Sequence, residues 1–385
     1  MMEAVVPGDA RALTRALVRM DSRNPALAPD GPGERACAHF LRDVLRAWGF
    51  RTELTDASPG RPNLVARIGD AAGGRSLMFN GHLDVVGVDG MVHAPFSAEE
   101  REGRVYGRGS ADMKGGIGSM CAAAWHAARA GVNGEIIIAA VADEEYESLG
   151  TRALVASGIR ADAAIVAEPT SLAIMPAHRG FTWIEVEVLG RAAHGSRWDI
   201  GVDAIRHAGL LLAELDRIDS DELPLRTHPL LGRGSLHASL ISGGIGMSTY
   251  PDRCILKLER RSIPGDASLD AVKEVERACS TVRMRRPSFD ASVRLLLTQN
   301  PSDVAVDAPV VRELTSACES TGRTALIGGM SAWTDAALLN AAGIPAVCFG
   351  PGDISLAHAA EEYIPLSEID RATEVLTSFA QRWCS

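Results

Sequence analysis

The strongest constraint on how this chain folds is a pair of apolar segments that do not alternate. EIIIAAVA at 135–142 and ADAAIVA at 161–167 are apolar at nearly every position, so both faces of each extended strand have to be covered. A sheet with one wet face would alternate apolar and polar side chains, whereas these strands require helices on either side. Two further candidate strands, PNLVARI at 62–68 and SLMFN at 76–80, lie upstream. Phe40, Leu41, Val44, Leu45 and Trp48 recur at helical spacing and predict a helix over 34–48 that stops at Gly49. Another helix is predicted over 117–130, after a turn at Gly115 and Gly116. The expected class is α/β, a three-layer α/β/α sandwich around a buried sheet.

After Pro176 the pattern changes. FTWIEVEVLG (181–190), SLHASLI (235–241) and CILKLERR (254–261) alternate, 202–216 and 266–280 read as amphipathic helices, and ASVRLLL (291–297) closes the set. The order β-α-β-β-α-β suits a small ferredoxin-like α+β domain with one open sheet face. Past Pro301 short buried strands return, at TALIG (324–328) and PAVCFG (345–350). A chain of 385 residues exceeds the usual size of one core. The expected division is a catalytic domain in two parts, 1–177 and 298–385, with residues 178–297 inserted between them.

Charge and composition remove several function classes. The formal net charge is −10, and no run of Lys or Arg is dense enough to follow a phosphate backbone, so nucleic acid is not an expected partner. The longest apolar run, around 136–142, is far too short to span a bilayer, and the N-terminal segment shows no basic patch followed by an apolar stretch. No membrane partner is expected, and the cytoplasm is the expected location. Cys37, Cys121, Cys254, Cys279, Cys318, Cys348 and Cys384 are scattered and never form CxxC, which reads as free, buried thiols in a reducing compartment.

Residues that could carry chemistry collect where strands end. His82 and Asp84 follow a strand in GHLDVV, on the same side of the chain and at the carboxyl edge where open α/β sheets bind ligands. Asp112 lies in the glycine-rich stretch YGRGSADMKGG. Asp143, Glu144 and Glu145 follow EIIIAAVA with no balancing base before Arg152; Glu168 ends another strand in AEPT, and His358 lies in GPGDISLAHAAEEY. Alone, each is an ordinary loop residue. Together, two imidazoles and several carboxylates at converging strand ends are costly unless a cation sits among them. Two divalent ions suit that donor set, zinc first, with cobalt or manganese also admitted by ligand type.

Taken in order, NGHLDVV, YGRGSADMKGG, ADEE, AEPT, VLGRAAHGS, RRSIPGD, TDAALL and FGPGDISLAHAAEEY resemble the motifs of the dinuclear zinc amidohydrolases and peptidases. That family includes acetylornithine deacetylase, succinyl-diaminopimelate desuccinylase, aminoacylase and carboxypeptidase G, and the resemblance runs through nearly the whole chain. It implies a zinc-peptidase-like catalytic domain whose inserted domain serves as lid and dimer contact. It further implies one metal held by His82 and Glu168, a second held by Glu145 and His358, Asp112 bridging them, and Asp84 orienting His82 from behind. Glu144 would be the general base, a role the residues also favour, since Glu145 beside it would be tied to metal.

Three more assignments fall in the inserted domain. His194, in GRAAHGS, resembles a histidine that stabilises the oxyanion and that dimeric relatives supply from the partner subunit, which implies a homodimer through this domain. Arg261, in RRSIPGD, resembles an arginine that grips the substrate carboxylate; Arg260 alternates to the other face and reads as solvated, and a one-residue slip would exchange the two. Ser248 stands where many relatives carry an asparagine that contacts substrate, which leaves the specificity open. The expected function is hydrolysis of the amide bond of a small N-acyl amino acid by water activated at Glu144. The same site would serve a dipeptidase or carboxypeptidase. A catalytically silent metal-binding relative is a third reading, against which stand Glu144 and the five ligands.

Overall fold

The strand Leu77–His82 is buried at every residue, because it runs through the middle of the main sheet. The computed structural model describes residues 5–70, 72–267 and 269–385. Across the sheet the order is Arg51–Ser58, Arg61–Gly69, Glu135–Val141, Leu77–His82, Ala163–Val166, Ala346–Cys348 and Ile174–His178. The four strands from Glu135–Val141 to Ala346–Cys348 are parallel, and the flanking ones pair antiparallel. Their carboxyl ends therefore share one edge.

Both faces are covered, as the lack of alternation requires. Helices Ala10–Val18, Arg35–Ala47, Gly115–Ala130, Pro309–Ser320 and Leu366–Trp383 place Leu13, Leu41, Ile117, Leu314 and Phe379 in one core with Leu64, Phe79 and Ile138 of the sheet. Ile137 and Ala139 are buried outside that core, as the strand's period of two dictates. The shorter helices Leu149–Ala156 and Ala336–Ala341 pack against the sheet and each other. At Gly116 a Cβ would stand 1.9 Å from the Ala167 carbonyl oxygen, so only glycine lets this helix start so near the strand end that carries Glu168. All seven cysteines are free and buried. Among the described residues no helix is long and apolar enough to cross a membrane.

The polar edge strand Arg51–Ser58 was not expected. Its RTELTDAS sequence has no buried residue and carries the charges that blunt a sheet edge, so it lacks an apolar signature.

The chain divides into two compact units: Met1–Pro176 with Val304–Gly328 and Thr334–Ser385, and Ala177–Asp303 with Gly329–Trp333. In the second unit the strand order is Ser235–Gly243, Arg253–Ser262, Gly180–Leu189, Asp290–Gln299, with all neighbours antiparallel. Helices Ala204–Arg217 and Asp270–Arg285 cover one face through Ala208, Leu211, Val275 and Cys279. One expectation fails here. Arg260 is not solvated: it follows Leu256 and Leu258 onto the covered face, where Asp266 (3.1 Å) and Glu274 (2.9 Å) neutralise it. The pleat was right, and the buried acids make a charge tolerable there.

Candidate active site

Three adjacent parallel strands deliver their next residues to one edge of the sheet. Leu77–His82 ends on His82, Glu135–Val141 runs into Asp143, Glu144 and Glu145, and Ala163–Val166 runs into Glu168. Asp112 comes from the turn Ser110–Lys114 before helix Gly115–Ala130, and His358 from the loop after Ala346–Cys348.

Asp112 lies at the centre. Its Oδ1 is 3.0 Å from His82 Nε2 and its Oδ2 is 3.5 Å from His358 Nε2, which also lies 2.9 Å from Glu145. His82 Nε2 is 4.0 Å from the carboxylates of both Glu144 and Glu168. Two triads of possible ligand atoms, His82–Glu144–Glu168 and His82–Asp112–Glu145, each fit within 4.8 Å. The structure thus brings together His82, Asp84, Asp112, Glu144, Glu145, Glu168 and His358.

So many buried carboxylates cannot all ionise unaided. Burial, with Glu168 and Asp335 adding, pushes Glu144 well above the usual carboxylate range. Burial and the Asp112 charge do the same to Glu168, and burial lifts Asp84 to about 7. The compensating charge sits on the imidazoles. His358, half-exposed, is raised to about 10 by its hydrogen bonds with Asp112 and Glu145. Burial is the largest influence on His82 and opposes a charge, but Asp112, Glu144 and Glu168 together outweigh it and raise this imidazole too. Asp112 is held low in spite of its burial because both imidazoles face it. Divalent cations would take the place of those protons, and imidazole nitrogens with carboxylate oxygens are a donor set that zinc and its neighbours accept.

Asp84 acts through different atoms than its expected role supposes. His82 Nδ1 lies 2.9 Å from the Asp84 main-chain carbonyl and 3.7 Å from the carboxylate. A carbonyl can only accept, so Nδ1 donates to it; in the charged ring Nε2 donates to Asp112, and loss of that second proton would leave an Nε2 lone pair for a cation. The Asp84 carboxylate instead accepts from the backbone N–H groups of Glu144 and Glu145, both at 3.2 Å. Asn24 completes this support, donating to Asp84 (2.9 Å) and to Asp143 (3.0 Å). Asp143 also pairs with Arg61 (2.6 Å), which reaches Glu34. Asn24 escaped the sequence reading because SRNPAL is a plain turn sequence.

The remaining three candidates lie in the second unit. His194 and Ser248 come from facing segments: His194 bridges Thr249, and Gly195 N–H donates to the Ser248 carbonyl at 2.7 Å. The Ser196 N–H donates to His194 Nδ1 (3.2 Å), which places the proton of a neutral ring on Nε2. Arg261 lies on the open sheet face, with Nε on Glu259 (2.5 Å) and its guanidinium 5.3 Å from the Phe181 ring centroid. Glu259 is itself held by the Trp183 indole at 2.9 Å.

Comparison with known proteins identifies the family. Residues 78–382 match the model of peptidase family M20/M25/M40. The chain is 32% identical to an acetylornithine deacetylase of Myxococcus xanthus, over 97% of each protein. It is 27% identical to N-formyl-4-amino-5-aminomethyl-2-methylpyrimidine deformylase of Bacillus subtilis (strain 168), over 93% of this chain and 91% of that one. The crystal structure of aminopeptidase PepT from Bacillus cereus ATCC 10987 superposes with a TM-score of 0.81 at 22% identity, covering 100% of both chains. The chain belongs to peptidase family M20/M25/M40 and is a metal-dependent hydrolase of amide bonds.

Proposed function

We propose that this enzyme deacylates an N-acyl amino acid. The observation that carries the chemistry is Asp112, whose two oxygens face two different imidazoles, at 3.0 and 3.5 Å, as a carboxylate shared by two cations would. His82 and Glu168 would hold one ion, Glu145 and His358 the other. When bound, such ions acidify water and polarise a carbonyl. Glu144, raised above the usual carboxylate range by burial, takes a proton from the attacking water and passes it to the nitrogen as the C–N bond breaks. The substrate class rests on the 32% identity to an acetylornithine deacetylase across 97% of the chain.

In the second unit Arg261 would bind the substrate carboxylate, with Nε taken by Glu259 and the two Nη groups left for a bidentate pair. Ser248 would touch the substrate where its size and hydroxyl set part of the specificity. His194, protonated on Nε2, is suited to donate to an oxyanion. We assign that donation to a partner subunit. The sheet's edge strand Ser235–Gly243 exposes Leu240 and Ile241, and Trp198, Ile245 and Met247 are exposed on nearby segments of the chain, a surface a second copy would cover. Free, buried cysteines fit a reducing cytoplasm.

Turnover of a panel of N-acetyl, N-formyl and N-succinyl amino acids, set against dipeptides on the zinc-loaded enzyme, tests the reading. Cleavage of the acyl compounds is expected; activity confined to dipeptides would replace deacylase with dipeptidase. Sedimentation as a monomer at assay concentration would remove the partner's role for His194.

A further inference from the structure

One buried carboxylate that the chemistry above does not use ties two ligand-bearing loops together. Glu362 is fully buried, four residues beyond His358. The short strand Tyr363–Pro365 pairs antiparallel with Arg104–Tyr106, Tyr363 opposite Tyr106, which carries Glu362 up to the turn that presents Asp112. Its Oε1 accepts from the backbone N–H groups of Ala111 (3.0 Å) and Asp112 (3.2 Å). Its Oε2 accepts from the Gly109 N–H (3.0 Å) and from Arg108 Nη1 (2.8 Å). Arg108 extends the tie, donating through Nε to the Gly87 carbonyl (3.0 Å) and through Nη1 to that of Ala359 (3.3 Å).

The turn needs such an acceptor. Inside Ser110–Lys114 the backbone leaves helical geometry at Asp112 (φ −118°, ψ 95°) and Met113 (φ −130°, ψ 35°), so a regular helical ladder does not serve its N–H groups. A core ion pair would spend both oxygens on Arg108. Here three of the four donors are main-chain groups of residues 109–112.

We propose that Glu362 is a positioning residue that fixes the Asp112 turn in its metal-ready form before any cation binds, in register with the His358 loop. The functional consequence rests on reading Asp112 and His358 as metal ligands; the clamp itself belongs to the metal-free chain. Gln cannot replace it, because whichever way the carboxamide turns, its NH2 group meets two donors.

The test compares Glu362→Gln with Glu361→Gln in the full chain, since Glu361 is exposed and only 3.7 Å from Arg101. Backbone amide exchange is followed in metal-free protein, and zinc affinity is measured by chelator competition. In E362Q the amides of Gly109, Ala111 and Asp112 are expected to exchange at least about tenfold faster, and zinc affinity to fall roughly 10–100-fold. E361Q should match the parent in both. Should E362Q fail to fold, Arg108→Lys keeps the carboxylate and its main-chain donors, and protection of those three amides is expected to survive. Unchanged exchange in E362Q, unchanged zinc affinity, or loss of protection in a folded R108K each overturns the proposal, whatever happens to Tm. If Asp112→Asn and His358→Ala leave zinc affinity intact, the ligand reading fails instead, and the amide measurement still judges the clamp.

Discussion

The two units present their chemistry in opposite ways. In the first, nearly every reactive group is buried and over-determined: the Asp84 carboxylate accepts from Asn24 and from the N–H groups of Glu144 and Glu145, and Asp112 lies between two imidazoles. In the second, His194 is exposed and its ring hydrogen-bonds within its own turn, to Ser196, while Ser248 is exposed and Arg261 half-buried. Moving protons and charge in a dry site demands fixed partners, because an unpaired buried charge costs several kcal/mol. Choosing among substrates demands only a surface of the right shape and sign. The difference also explains why the first unit's residues were easy to nominate.

The contrast breaks if the buried acids are dispensable. Glu144→Gln keeps size and shape while removing the proposed proton carrier, and kcat should drop by about 10²–10⁴ with zinc content unchanged. Retained turnover would move the base elsewhere. Two neighbours in the second unit offer a sharper comparison, because Arg260 and Arg261 differ by one residue and one face. Arg260→Leu strands Asp266 and Glu274, although Arg226 still pairs with both, so a loss of about 3 kcal/mol in unfolding stability is expected, with KM barely altered. Arg261→Ala should do the reverse, raising KM about 10–100-fold, or roughly 1.4–2.8 kcal/mol, at nearly constant Tm. Arg261→Lys should recover little of it, since an ammonium cannot make the bidentate pair. Exchanged phenotypes would mean that register, not residue type, was misassigned.

Fold and site were legible in different degrees. Uninterrupted apolar strands fix a sheet covered on both faces, and the acidic and imidazole residues that follow them nominate a candidate site jointly, each alone being an ordinary loop residue. Arg51–Ser58 escaped because an exposed edge strand has no apolar period. Asn24 and Glu362 escaped for another reason: their meaning lies in main-chain N–H groups and side chains 60 to 254 positions away, which local spacing cannot reveal. The Asp84 role was half legible, for a sequence can place the residue beside His82 but cannot say whether carbonyl or carboxylate faces the ring. Arg260 shows the limit of treating charge as exposure.

The smallest expected effect probes the protons that stand in for metal. In the metal-free protein Glu144, Glu168, Asp84, His82 and His358 all titrate above their ordinary values. A group that binds its proton more tightly when folded contributes fully below its unfolded pKa and loses that contribution as pH rises through the folded value. For His358 this window runs from 6.5 to about 10. Asp112, shifted the other way, acts only in the acid range. Metal-free enzyme should therefore weaken from pH 6.5 to 9, while zinc-loaded enzyme, with cations in place of the protons, should not. The Tm gap between chelated and zinc-loaded protein is expected to widen by a few degrees over that range. His194→Ala, confined to the second unit, should leave the widening intact. A gap that stays constant would mean that the first unit's charge is balanced by something other than exchangeable protons and metal, and the contrast between the units would lose its physical basis.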